Sequence, residues 1–266
     1  MYPILIDTPY LFLPAWHAFY VLGAIGALFL LRFLGARWYP DTPQRRLNHL
    51  FITCYISGYF GARLLSILIE DDLSQGLGFV LTSLFQLGSM TFYGGFIGGV
   101  VGGWVLTGYL RMNRAQIWDL SLPCLMVALA FGRIGCFLNG DDYGVPVSLL
   151  EDGTVPWYGV VFPNLQDGVA RVPSQLVETG FAFLITFAML RFGDSHLRKG
   201  GDAGYVGLIG LIMYSVYRFF AEYLRADYRG WIVQEVLSPS QLISIVILVS
   251  ASVWWMLHRS HMNQAS

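Results

Sequence analysis

The residues best suited to chemistry lie where a long apolar run ends. In Phe131-Gly-Arg-Ile-Gly-Cys-Phe-Leu-Asn-Gly-Asp-Asp-Tyr-Gly144, the run from Leu120 to Phe131 gives way to Arg133, Asn139, Asp141 and Asp142. An arginine placed where hydrocarbon meets headgroups is costly unless an anion or a wet cavity receives it. Its planar fork suits a phosphate, which it grips through two parallel N–H donors. Gly132, Gly135, Gly140 and Gly144 let the backbone turn tightly or approach a ligand closely. The plainer reading is a helix end whose arginine snorkels to the interface.

Further charges lie inside or at the ends of apolar stretches: Arg63, Asp119, Glu178, Arg218 and Glu222. Arg218 and Glu222 are four residues apart and share one helix face, with Arg225 following. Tyr217, Phe219, Phe220 and Tyr223 surround them with aromatics typical of a membrane interface. An Arg–Glu pair at this spacing also serves simply to neutralise itself. Arg63 is expected in a structural ion pair, and Asp119 belongs near the end of its span. Arg133, Glu178, Arg218 and Glu222 together describe an anion site at headgroup depth.

The elements that carry these residues follow from composition. Of 266 residues, 55% are hydrophobic and 12% charged, too apolar for a soluble domain of this length. A net charge of −1 offers nothing to nucleic acid, and none is expected as a partner. Cys54, Cys124 and Cys136 show no CxxC spacing, so neither a disulfide framework nor a metal site is expected. The first basic residue, Arg32, follows the first apolar run, so no cleavable signal is expected.

Seven apolar stretches approach the length needed to cross hydrocarbon as helices: 16–36, 49–70, 91–110, 116–138, 175–192, 203–224 and 239–257. Their continuity, without alternation, argues against barrel strands. Basic residues cluster after the first (Arg37, Arg45, Arg46), third (Arg111, Arg114), fifth (Arg191, Arg198, Lys199) and seventh (Arg259). By the positive-inside rule these segments are cytoplasmic. The expected fold is an all-α polytopic membrane protein of seven transmembrane helices, N-terminus outside and C-terminus inside. It forms a single membrane domain over 1–266. Glu70-Asp71-Asp72 agrees as an acidic outer segment.

Residues 139–174 form the largest expected extracytoplasmic region, and Gly, Pro, Asp and Trp mark them as a small folded loop. Pro173-Ser-Gln-Leu176 recurs as Pro239-Ser-Gln-Leu242 at the start of two spans. The third span carries glycines at 94, 98 and 102 and again at 95, 99 and 103. Such small-residue stripes let helices approach closely. At the outer end, beside Tyr93, Gly94 and Gly95 suit a headgroup as well as a neighbouring helix.

Several of these stretches resemble the prolipoprotein diacylglyceryl transferase family. They are Gly132-Arg-Ile-Gly-Cys-Phe-Leu-Asn139 with Gly144, Tyr93-Gly-Gly-Phe-Ile-Gly98, Pro173-Ser-Gln-Leu-Val-Glu178 and Tyr217-Arg-Phe-Phe-Ala-Glu-Tyr-Leu-Arg225. Gly61-Ala-Arg-Leu64 and Ser240-Gln-Leu-Ile-Ser244 are weaker matches, and the resemblance covers roughly residues 15 to 255. It implies a monomeric bacterial inner-membrane enzyme without a cofactor, its active face outward. Such an enzyme transfers diacylglyceryl from phosphatidylglycerol to the lipobox cysteine thiol of a preprolipoprotein, and glycerol phosphate leaves. Arg133, Arg218, Tyr93 and Glu222 would be catalytic. Gly94, Gly95, Asn139, Asp141, Gln175, Glu178 and Arg225 would bind substrate.

The chain departs from the family pattern at instructive places. Tyr93 stands where the family has histidine, a plausible thiol base; Cys136 replaces asparagine and Asp141 replaces glutamate. Val172-Pro173 stands for His-Pro, and Ala15-Trp16-His17 for Trp-Tyr-Gly. A phenol ordinarily keeps its proton at neutral pH, so Tyr93 acts as base only if nearby arginines favour phenolate. Otherwise Glu178, Asp141, the lipid phosphate or water takes the thiol proton. A relative that binds anionic lipid or modifies another acceptor remains open, as does an anion transporter. The absence of paired halves with broken helices speaks against the transporter.

Overall fold

A computed structural model of the chain describes residues 2–8, 11–70, 76–85, 90–226 and 237–265. Each of the seven apolar stretches is helical. They are α1 (Ala15–Trp38), α2 (Gln44–Glu70), α4 (Phe92–Tyr109), α5 (Arg114–Asn139), α6 (Ser174–Arg198), α7 (Tyr205–Ala221) and α8 (Pro239–Ala265). A short α3 (Leu77–Ser83) lies between α2 and α4. Among the described residues, α1, α2, α5 and α6 are long and apolar enough to cross a membrane. A helix suits hydrocarbon because it satisfies its own backbone polar groups. Broad apolar faces stay exposed, as with Val21, Leu22, Ile25, Phe29 and Phe33 on α1. In water such a face would be an aggregation liability.

The structure is not purely helical. β1 (Ile4–Thr8) pairs antiparallel with β2 (Leu11–Pro14), and β3 (Val160–Val161) with β4 (Ala170–Arg171). The first pair is built from Ile and Leu on chain too short to cross hydrocarbon. The acidic segment expected at 70–72 is only partly visible, since Asp71 and Asp72 lie outside the described residues.

The chain forms two compact units. One comprises Met1–Leu30 with Trp118–Ser266, the other Leu31–Ile117. In the second, α2 and α4 pack through glycine faces. A Cβ on Gly61 would lie 2.4 Å from the Gly94 carbonyl oxygen, and one on Gly98 would lie 2.3 Å from that of Ser57. Only the missing side chain permits this approach. Arg63, expected in an ion pair, donates from Nε to the Ser83 carbonyl at 2.9 Å, at the end of α3.

In the first unit, α1 packs on α5 and α7 lies between α6 and α8. Asp119 of α5 is fully buried and tethers the start of α7, accepting from the Gly204 amide at 2.7 Å and the Gly207 amide at 2.9 Å. A carboxylate suits this position because a helix N-terminus presents unpaired N–H groups and positive partial charge. α8 opens with a reciprocal cap. The Gln241 amide donates to Ser238 Oγ at 3.2 Å, and the Ser238 amide to Gln241 Oε1 at 3.1 Å.

The glycine contact yields a paired test. Gly61→Ala should lower the thermal midpoint in detergent, with a cost of about 1–3 kcal/mol for overpacking. Gly180→Ala, where an added Cβ meets nothing within 4 Å, should leave it unchanged or slightly raised. Equal midpoints for the two variants would contradict the close α2–α4 approach.

Candidate functional site

A backbone junction assembles the site. α5 ends at Asn139, and Gly140 turns the chain with φ of 87°. A Cβ at Gly140 would fall 2.3 Å from the Asn164 side chain, so glycine is required there twice over. Asn164 in turn donates to the Asn139 carbonyl at 3.1 Å. The segment from Tyr143 to Val147 then runs between two others. Gly144 N–H donates to the Val172 carbonyl at 2.9 Å, and Val145 N–H to the Leu224 carbonyl at 3.0 Å. A Cβ on Gly144 would sit 2.5 Å from the Val172 oxygen and 2.6 Å from that of Leu224. This junction draws together the end of α5, the start of α6 and the chain beyond α7.

Four charged side chains meet beside it. Asp142 spans two arginines. Its Oδ2 receives Arg133 Nη1, and its Oδ1 receives Arg225 Nη2 at 2.7 Å. Glu178 of α6 lies 2.7 Å from Arg133 Nε and 4.0 Å from Arg225 Nη1. The Arg133 Nε–H is not aligned as a hydrogen bond to that oxygen, so the contact is chiefly one of charge. The two guanidiniums and two carboxylates cancel. Side-chain exposure runs from 5% for Arg225 and Glu178 to 23% for Asp142. At that burial an unpartnered charge is expensive, and pairing keeps the arginines tolerable.

Arg218 forms the second centre. Its Nη1 lies 2.8 Å from Glu222 Oε2, and its Nη2 donates to Ser240 Oγ of α8 at 2.7 Å. Glu222 sits in the 3-10 turn Glu222–Leu224 that continues α7, where the contact with Arg218 persists. One turn before Arg218, Tyr214 Oη donates over 3.5 Å to Glu178 Oε1. That long contact links the two centres.

The other expected site residues fall in several places. Gln175 is buried, and its amide donates to the Asp141 carbonyl. Ser174 Oγ donates to the Asp142 carbonyl at 2.7 Å. The Asn139 side chain donates to the Asp141 carboxylate, which is exposed. Tyr93, Gly94 and Gly95 belong to the other unit. Tyr93 is half-exposed at the start of α4. Gly94 packs against Gly61, its added Cβ meeting the Gly61 oxygen at 2.3 Å, so helix contact uses this position. Gly95 is looser, at 3.4 Å from the Ala62 Cβ.

Tyr214, Ser174 and Ser240 were not among the expected site residues, and Asp142, singled out where the apolar run ends, was given no role. Helical spacing could have found Tyr214, four residues before Arg218. The repeated Pro-Ser-Gln-Leu could have found both serines, each of which opens a helix and ties down a part of the site. For Asp142 the signals were its place in the charged stretch after the apolar run and charge balance, which calls for carboxylates without assigning them partners.

The peripheral segment is a separate clasp. Phe162 is fully buried between Phe137 and Tyr143, and Arg171 lies over the Tyr143 ring at 5.0 Å. Arg171 grips Asp167 bidentately at 3.0 and 2.6 Å. These hydrogen bonds hold the Asp167 carboxyl down to about 2. Any stability from this pair is present above the ordinary carboxylate range and lost as pH falls through about 2.

Comparison with known proteins gives a consistent picture. The sequence profile described as prolipoprotein diacylglyceryl transferase matches residues 3–257. A Clostridium tetani protein named phosphatidylglycerol–prolipoprotein diacylglyceryl transferase is 30% identical over 257 residues, covering 94% of each chain. A Clostridium perfringens protein, named as transferase 2 of that kind, is 32% identical over 210 residues, 77% of this chain and 76% of its own. A Leptothrix cholodnii protein of the same name is 28% identical, with 95% of each chain covered.

The buried tetrad and the exposed clasp predict opposite outcomes. Glu178→Ala should destabilise by about 3–5 kcal/mol, because it strands part of the buried positive charge. Asp167→Ala should leave the thermal midpoint in detergent nearly unchanged at neutral pH, since an exposed pair contributes little. A Glu178→Ala midpoint equal to wild type would contradict the tetrad.

Proposed function

The chain belongs to the prolipoprotein diacylglyceryl transferase family, and we propose that it moves the diacylglyceryl group of phosphatidylglycerol onto the lipobox cysteine thiol of preprolipoproteins. The cysteine thiol gives up its proton to a nearby carboxylate, the lipid phosphate or water, and the thiolate sulfur attacks the glyceryl carbon that carries the phosphate ester. A C–S bond forms as the C–O bond breaks, and the electron pair stays on the departing oxygen of glycerol phosphate. Positive donors aimed at that oxygen stabilise the charge as it develops. The observation that carries this reading is the convergence of Arg133 and Arg225 on one carboxylate, which amounts to an oxyanion cradle.

Arg133 and Arg218 hold the phosphodiester and the leaving phosphate, and Arg225 shares the load. Glu222 orients Arg218, a role supported by their 2.8 Å contact. Glu178 holds Arg133 in place, and Gln175, Asn139 and Asp141 shape the headgroup side of the cradle. The arginine-bearing loops support seven spans, with the N-terminus outside and the C-terminus in the cytoplasm of a bacterial inner membrane. The cradle then opens toward the outer side. The monomer holds all of these groups on one chain.

Tyr93, half-exposed at the start of α4, offers its hydroxyl as a hydrogen-bonding, positioning group for the lipid headgroup.

Complementation is the first test. In a bacterium depleted of its own transferase, this chain should restore prolipoprotein conversion, and failure at normal protein level would refute the assignment. A reporter fluorescent only in the cytoplasm should light at the C-terminus and stay dark after Gly153. In the same strain Tyr93→Phe should keep more than about a tenth of the activity, because a lost general base would cost 10²–10⁴-fold. A larger loss, with Tyr93→His restoring activity and shifting its pH profile toward neutrality, would instead make Tyr93 the base.

A further inference from the structure

We propose that Asp142 is a built-in stand-in for the substrate phosphate: its carboxylate occupies the fork between Arg133 and Arg225, and the lipid phosphodiester must displace it to bind. The inference rests on the transferase reading for the identity of the ligand, but its geometry is independent of the reaction.

Asp142 offers one oxygen to Arg133 and the other to Arg225, as a phosphodiester offers its two non-bridging oxygens. Asp142 and Glu178 together offset the charges of Arg133 and Arg225, so an incoming monoanion has to compete with a carboxylate already paired to them. One carboxylate has to yield, and the two differ in how readily they do so. Glu178 lies within α6, is 5% exposed, and also receives Tyr214. Asp142 lies beyond the end of α5 and is 23% exposed, so its side chain has a path to water.

The fastening of Asp142 points the same way. Its backbone adopts φ of 59°, a left-handed conformation that Asp tolerates better than most residues. That backbone is held by Ser174 Oγ on its own carbonyl and by Gln175 on the carbonyl of Asp141. The side chain can therefore swing away without unfastening the chain. Bound, it shields two buried guanidiniums from the cost of standing unpaired. Displaced, it hands them to the phosphate. Asp142 thus sets a threshold on lipid affinity and leaves the chemical step to other groups.

The test removes the competing charge. Full-length protein purified in neutral detergent is compared with Asp142→Asn for the equilibrium Kd of phosphatidylglycerol and the Kd of free glycerol phosphate. The Asn variant should bind both more tightly, by at least about fivefold, the low end of coupling between competing ligands. Its ligand-free thermal midpoint should fall, and added phosphatidylglycerol should raise it by more than in the wild type. If only phosphatidylglycerol tightens, the site reads the lipid; if both tighten equally, it reads the phosphate alone. Asp142→Ser, equally uncharged, replaces Asn should that variant fail to fold. Unchanged or weaker affinity in a folded variant would overturn the proposal and make Asp142 a positioning residue for the arginines. Both Kd values are read from binding isotherms without turnover. A wild-type protein that fails to transfer would therefore count against the transferase reading alone, and tightened binding would still support Asp142.

Discussion

Buried positive charge has to be answered, and this requirement organises the first compact unit. Arg133, Arg218 and Arg225 stand among apolar helices where an unpaired guanidinium would cost several kcal/mol. Glu178, Asp142 and Glu222 answer them, and each comes from a different piece of chain. The Gly144 junction exists to make that meeting possible. Without its backbone hydrogen bonds to Val172 and Leu224, Arg225 and Asp142 would have no reason to converge. The same pairing that stabilises the fold is what an anionic ligand would have to exchange for its own contacts.

Much of this was legible in the sequence, for physical reasons. Helices announced themselves as apolar runs because hydrocarbon admits no other simple solution for the backbone. The Arg218–Glu222 contact followed from helical period alone. Glu178 stood out because a carboxylate at the start of an apolar run needs a partner. What stayed hidden depended on contacts distant in sequence. Asp142 and Asp141 are adjacent and chemically alike, and only the left-handed turn at Asp142 decides which one faces the arginines. The β1–β2 hairpin was hidden as well, being too short to show a period. Arg63 also donates to the Ser83 carbonyl, an acceptor that no sequence pattern advertises.

The second unit shows how one residue type serves two purposes. Glycines along α4 could serve packing or ligand approach, and the sequence alone left Gly94 between them. Its contact with Gly61 is backbone against backbone, which no flexible side chain can relieve. Family membership adds a separate lesson. The resemblance noted in the sequence covers the arginines and excludes Tyr93, Cys136 and Asp141. Phosphate recognition depends on charge and fork geometry, which the chain keeps. Deprotonating a thiol depends on a matched base, which is where the resemblance is weakest.

The most direct measurement is the mass of a lipobox peptide after incubation with phosphatidylglycerol and the purified protein. The peptide should gain one diacylglyceryl group on its cysteine, with glycerol phosphate released in equal amount, and prior alkylation of the thiol should block both. Arg133→Lys keeps the charge but loses the fork, and should slow transfer by at least about tenfold. An unmodified peptide with the wild-type protein, or Arg133→Lys transferring at the wild-type rate, would contradict a phosphate cradle built on Arg133.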